Sequence, residues 1–194
     1  VENVANDENL DLLLKADLDV LFIIGWHKIV PQNVLDTGKI KLGIHSSLLP
    51  KNRGSSPINW QIVRGETKGG ITLFHLTSEV DEGGIVDFNE YEINNLDDVS
   101  TVYDKAIFAS LSVLERNWTD IHNLNPKSIC QDESKVTINN IRKPSDGLIN
   151  WKKSAEECYN LIRAVTHPYP GAYTFWNKKK LFVWKSKISN LKET

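Results

Sequence analysis

Val20-Leu21-Phe22-Ile23-Ile24, running into Gly25-Trp26-His27, is the stretch on which the fold turns. Five apolar residues in a row, with no alternation, describe a strand buried on both faces, as in a parallel sheet covered by helices. The run is far too short to cross a bilayer, which takes about 20 apolar residues. Working outward, Asn9-Leu10-Asp11-Leu12-Leu13-Leu14-Lys15 before it carries the apolar face of a helix. After it, Pro31 opens a short helix to about Leu35. Thr37-Gly38 then turns the chain into a second strand, Lys39 to Ile44. Helix, strand, helix, strand is the signature of the α/β class.

The second strand stops in a polar loop, His45-Ser46-Ser47-Leu48-Leu49-Pro50-Lys51-Asn52-Arg53-Gly54-Ser55-Ser56-Pro57. A helix, Ile58 to Arg64, ends at Gly65. Strands follow at Ile71 to Leu76 and Ile85 to Ile93, separated by a loop with Asp81 and Gly83-Gly84. The spacing of Val102, Ala106, Ile107, Leu111, Leu114 and Trp118 predicts an amphipathic helix from Ser100 to about Asn123. Val136-Thr137-Ile138 reads as a short strand. Arg142-Lys143-Pro144-Ser145-Asp146-Gly147 is rich in turn residues and divides the chain into units 1–141 and 142–194. In the second unit Ser154-Ala155-Glu156-Glu157 is a capping box opening a helix to about Thr166. Tyr173 to Trp176 and Leu181 to Lys185 read as a hairpin turned at Asn177-Lys178-Lys179-Lys180.

The 194 residues are 40% hydrophobic and 25% charged, enough to bury a core and too apolar for disorder. A net charge of −2 speaks against broad phosphate binding, so nucleic acid is disfavoured as a partner. No secretory leader or membrane span is visible. Two cysteines, Cys130 and Cys158, make neither a disulfide framework nor a metal cluster. A reducing, cytoplasmic setting and no metal are the expectation. There are six Trp and no Met. The absent initiator leads us to expect that the chain does not begin where its gene does.

Two residues stand out chemically. His45 ends a strand beside a Ser-, Pro- and Gly-rich loop. An imidazole there can act as general acid and base, or can be a histidine satisfied at a strand end. Asp81 lies between two strands, where a carboxylate can orient an imidazole and stabilise its cation, or can be an ordinary turn aspartate before glycines.

The loop from His45 to Pro57 resembles the formyltransferase signature N-x-H-P-S-L-L-P-x-Y-R-G-x-x-P. The resemblance continues through Trp60, Gly65, Gly70-Ile71-Thr72-Leu73, Val80-Asp81-Glu82-Gly83-Gly84-Ile85, Asp146-Gly147-Leu148-Ile149-Asn150-Trp151, Ile162-Arg163-Ala164-Val165 and Tyr169-Pro170-Gly171-Ala172. It identifies the chain as similar to enzymes that use N10-formyltetrahydrofolate. The resemblance implies a Rossmann-like formyltransferase domain whose first part would lie before Val1, with a small C-terminal α+β unit. It implies His45 as acid and base and Asp81 as its support. It places the folate donor against Ser47, Leu48, Leu49 and Pro50, with Gly25 at the neighbouring strand end.

One departure matters. The family's asparagine two residues before the histidine falls on Gly43. An amide there would donate to the developing formyl oxyanion, and such a donor is worth on the order of 10²–10³ in rate. Ser46 replaces the family's proline and Asn52 its tyrosine. The later segments resemble formyltransferases acting on nucleotide-linked 4-amino sugars, which implies an amino-sugar nucleotide as acceptor. Arg53, Trp151, Arg163 and Tyr169 are the candidate acceptor contacts. For Trp151, Arg163 and Tyr169 packing is the competing role. Methionyl-tRNA formylation is the first alternative, disfavoured by the charge and the short second unit. The second, motivated by Gly43, is a member without transfer activity that binds folate or sugar nucleotide, or hydrolyses the formyl donor. The resemblance also allows a homodimer.

Overall fold

A computed structural model describes residues 7–26 and 30–189; His27 lies outside the described residues. Strand β1, Val20–Ile24, runs parallel to β2, Ile40–His45, with Ile24 opposite Ile44. The crossover between them carries a short helix, α2, Gln32–Leu35, and a longer one, α1, Asp7–Lys15, precedes β1. Two residues, β3 at Arg53–Gly54, pair in parallel with β6 at Ile138–Asn139. Strand β4, Lys68–His75, lies antiparallel to β2, and β5, Ile85–Glu92, antiparallel to β4. The main sheet therefore has the order β1-β2-β4-β5. Only its first pair is parallel. The antiparallel half tolerates one wet face, and β5, at the sheet edge, exposes Phe88, Glu90 and Glu92 in alternation.

Side chains alternate across β2. Ile40, Leu42 and Ile44 enter the main core with Ile58, Ile62, Ile71 and Leu73. Gly43 and His45 face the other way, toward the smaller cluster of Leu49, Phe74, Ile85 and Leu76. Helix α3, Pro57–Val63, and the 24-residue α4, Val99–His122, cover the core face. Helix α4 opens with Asp98 accepting from the Thr101 N–H at 3.0 Å, while Thr101 Oγ1 accepts from the Asp98 N–H. It buries Val102, Ala106, Ala109, Val113 and Ile121. Ile107, Leu111 and Trp118, expected on the core face, are exposed, because only one stripe of a straight helix can meet the sheet.

Helix α5, Ala155–Val165, begins at the expected capping box, with Ser154 Oγ accepting from the Glu157 N–H at 3.1 Å. Its last turn reaches back to the first unit: Asn59 Nδ2 on α3 donates to the Ala164 carbonyl at 2.7 Å. The hairpin is β7, Ala172–Trp176, with β8, Lys179–Val183. Its turn is two residues long, not four. Asn177 and Lys178 both take positive φ, 46° and 63°, the pattern of a tight turn matched to strand twist.

Candidate functional site

Because β1 and β2 are parallel and in register, Gly25 and His45 emerge together at their carboxyl ends. Open α/β sheets place their ligands at such strand ends. Gly25 has a φ of +67°, and nothing lies within 4 Å of where a Cβ would stand.

His45 is 9% exposed. Its Nε2 lies 2.7 Å from the backbone oxygen of Asn52. A carbonyl only accepts, so Nε2 carries hydrogen and Nδ1 is the free nitrogen of the neutral ring. Nδ1 lies 3.5 Å from Asp81 Oδ2. The same carboxylate oxygen accepts from the Gly54 N–H at 2.8 Å. The two residues singled out in the sequence, 36 apart, thus meet across the loop. A proton taken at Nδ1 would leave the ring between a carboxylate and a carbonyl.

Three further residues build this arrangement. Asn52 sits in left-handed backbone, φ 61°, which asparagine tolerates better than most side chains. Its Oδ1 accepts from Arg64 Nη1 at 2.6 Å and from Asn139 Nδ2 at 3.2 Å. Its carbonyl is thereby aimed at the histidine. Thr72 stands opposite His45 on β4. Its Oγ1 donates to the Ser47 carbonyl at 2.7 Å and accepts from the Leu49 N–H at 3.1 Å, pinning the loop to the sheet. Gln131 donates from Nε2 to the carbonyls of Asp81 and Gly83, each at 2.8 Å. In the sequence Asn52 falls in an Asn-Arg-Gly turn and Thr72 in the Gly70-Ile71-Thr72-Leu73 motif, while nothing marks Gln131. Gly83 permits a close approach: a Cβ there would fall 1.6 Å from the His75 oxygen.

The space beside Gly43 is filled. A Cβ at this position would stand 2.8 Å from Leu76 Cδ2 and 3.0 Å from Phe74 Cε1. Apolar side chains from β4 and its loop occupy the volume an asparagine would need.

The other candidates divide. Ser47 is fully buried and donates from Oγ to the Lys51 carbonyl at 2.6 Å. Leu49 packs with Phe74 and Ile85, and Leu48 lies over Gly70. These side chains shape the loop, and the Pro50 carbonyl accepts from the Thr137 N–H at 3.4 Å. Arg53 is buried, pairs with Glu133 at 2.7 Å and donates to Gln131 Oε1 at 2.8 Å. It braces Gln131, and through it the Asp81 turn. Arg163 is also buried: its donors go to the carbonyls of Asn94 and Asp97 and to Asn160 Oδ1. With all of these bonds internal, Arg163 joins α5 to the 94–98 loop. Trp151 is exposed and donates from Nε1 to Thr174 Oγ1 at 2.9 Å.

Tyr169 lies in a cleft of about 150 Å³ between α3, the 142–147 turn and the end of α5, a place separate from His45. Its hydroxyl meets that of Tyr103 at 2.6 Å. Burial, and then that hydrogen bond, raise the Tyr103 hydroxyl above its ordinary range. Among the described residues no group of His, Cys, Asp and Glu could hold a metal ion, and no helix is long and apolar enough to cross a membrane.

Comparison with known proteins bears on this geometry. Residues 2–116 match the formyl transferase family, and residues 142–194 match the formyl transferase C-terminal domain. The bifunctional polymyxin resistance protein ArnA of Wigglesworthia glossinidia brevipalpis is 37% identical over 190 residues, 97% of this chain and 29% of that protein. Methionyl-tRNA formyltransferase of Bacillus velezensis is 34% identical over 186 residues, 95% of this chain and 58% of that enzyme. The chain thus spans less than two thirds of either relative. In fold it is similar to a sugar N-formyltransferase from Shewanella sp FDAARGOS_354, with a TM-score of 0.80 at 19% identity over 98% of this chain and 77% of that one. With the family's match extending over more than half its length, and a histidine–aspartate pair at the end of the parallel strands, the chain belongs to the formyl transferase family.

Proposed function

We propose that the protein transfers a formyl group from N10-formyltetrahydrofolate to the amine of a nucleotide-linked amino sugar. The observation that carries this reading is the fixed pair: His45 with one nitrogen tied to the Asn52 carbonyl and the other 3.5 Å from Asp81. The donor supplies an activated formyl carbon. Gly25, with open space beside it, and the 47–50 loop would hold it near His45. When the amine attacks the formyl carbon, a new C–N bond forms and the bond to the folate nitrogen breaks. His45 takes the amine proton at Nδ1 and returns it to the leaving nitrogen. Asp81 stabilises the imidazolium in between and keeps the ring in register. Position 43 supplies no side-chain amide, so oxyanion stabilisation in this chain comes from other groups. Units 1–141 and 142–194 are the proposed catalytic and C-terminal parts.

The sugar reading is supported by the net charge of −2 and by the fold likeness to a sugar N-formyltransferase. The 34% identity to a methionyl-tRNA formyltransferase favours initiator tRNA as the second reading. A panel decides between them. The full-length protein is incubated with the formyl donor and either nucleotide-linked amino sugars or charged initiator tRNA, and products are weighed by mass spectrometry. Formylated amino sugar is the expected product. Formylation of the tRNA alone would overturn the acceptor assignment.

A further inference from the structure

Asn139 lies on β6, in the connector that follows α4, and is 4% exposed. Its side chain is an amide, which neither gains nor loses a proton near neutral pH. Both ends of that amide are engaged. Oδ1 accepts from Arg64 Nη2 at 2.8 Å, and Nδ2 donates to Asn52 Oδ1 at 3.2 Å. Nδ2 also lies 3.5 Å from the Asn52 carbonyl oxygen, the acceptor of His45 Nε2. Arg64 closes the circuit, donating from Nη1 to Asn52 Oδ1 at 2.6 Å. One guanidinium and one amide thus grip the residue whose carbonyl orients the imidazole. The Asn52 N–H is taken from the same connector, by Thr137 Oγ1 at 2.8 Å.

The backbone of Asn139 is referenced to the aspartate. The Arg53 N–H donates to the Thr137 carbonyl at 2.9 Å, and the Ser55 N–H to the Asn139 carbonyl at 3.4 Å. Successive N–H groups of a strand point to opposite edges. Gly54, between them, therefore turns its N–H away from β6, and Asp81 Oδ2 accepts it at 2.8 Å. The fit is close, since a Cβ on Gly54 would stand 2.7 Å from the Asn139 oxygen. The amide that steadies the histidine's partner is therefore carried on the backbone paired with the aspartate's partner.

We infer that Asn139 is a positioning residue. Its amide holds the Asn52 carbonyl, and with it the His45 ring, in a fixed relation to Asp81. For its effect on turnover the inference rests on the proposed function; for its effect on the ring it rests on the contacts of Asn139.

The test has a spectroscopic and a kinetic arm, both on the full-length protein. Imidazole nitrogens are observed by 15N NMR, with His45 assigned by difference against His45→Ala. The neutral His45 ring of the wild type is expected as a single tautomer, with hydrogen on Nε2. Asn139→Ala removes the amide. Asn139→Asp keeps its shape and the acceptor for Arg64 but lacks the donor to Asn52. Each should show a mixture of tautomers. In formyl transfer each should lower kcat about tenfold or more and leave KM unchanged. Asn52→Gly suits the φ of 61° and keeps the carbonyl while removing the gripped side chain. In that background Asn139→Ala should add no further loss. Asn140→Ala, on the exposed neighbour, should change neither readout. Thermal melts establish which variants are folded.

A folded Asn139→Ala or Asn139→Asp protein with the wild-type tautomer and kcat overturns the inference. So does a loss confined to melting temperature, a raised KM at unchanged kcat, or losses from Asn52→Gly and Asn139→Ala that simply add. A mixed tautomer in the Asn139 variants of a protein that formylates no amine keeps the positioning role and sinks the proposed reaction.

Discussion

Thr72 shows how much one hydroxyl can carry. It satisfies a carbonyl and an N–H of the loop beside His45, both where water does not reach. Thr72→Val keeps the shape and strands both groups. A loss of about 2 kcal/mol or more is expected in urea unfolding, together with faster amide exchange at Leu49. Gly43 makes the opposite point. Gly43→Asn would restore the family's amide, but it drives atoms into Leu76 and Phe74. It should cost about 1–3 kcal/mol as overpacking, measured by denaturant midpoint. Leu76 meets the new Cβ with the far end of a flexible side chain, so Leu76→Ala in the same chain should recover part of that loss. Full stability in the single variant would contradict the packing described here. His45 and Asp81 were legible as candidates because imidazole and carboxylate announce their chemistry. The roles of Asn52, Thr72 and Gln131 were not, because each is fixed by partners far along the chain, including Asn139 on Asn52, Leu49 on Thr72 and Asp81 on Gln131. Arg53 and Arg163 are candidate acceptor contacts in the sequence, with packing the competing role for Arg163. A guanidinium in a motif looks like an anion contact until its donors are traced to Gln131, Glu133, Asn94 and Asp97.

At the scale of elements, local signals were dependable where chemistry is local. A strand at β1 and the Ser154 capping box were both visible in the sequence, but β1, expected to be buried on both faces, is half-buried with Ile24 exposed, because it lies at the edge of the described sheet. Strand direction was not visible there, since β4 and β5 owe their antiparallel pairing to neighbours and not to their own residues. The α4 stripe was misread in part because Ile107, Leu111 and Trp118 share helical spacing with each other, on a face the sheet does not cover. The hairpin turn offers a clean test. Lys178 is held at φ 63°, where a residue with a Cβ is strained and glycine is not. Lys178→Gly should therefore stabilise the protein by roughly 1 kcal/mol, read as a rise in denaturant midpoint. A fall in midpoint would mean that the turn is not of this type.

Across the whole molecule, the second unit is held to the first by buried polar contacts as well as by shared core. Asn59 reaches Ala164, and Arg163 reaches the carbonyls ahead of α4. Arg163→Met would leave those carbonyls and Asn160 Oδ1 without donors in a buried place. A destabilisation of about 3 kcal/mol is expected. Hydrogen exchange should quicken together in α5 and residues 94–98. Quickening confined to α5 would mean that the arginine is not the tie between them.

The proposed reaction requires His45, supported by Asp81, to move the proton during formyl transfer. Its most direct test follows formylated amino sugar by mass spectrometry for the wild-type protein, His45→Ala and Asp81→Asn, each verified as folded. Product is expected from the wild type, with a rate lower by about 10²–10⁴ for His45→Ala and a substantial loss for Asp81→Asn. A His45→Ala protein that forms product at the wild-type rate would contradict it.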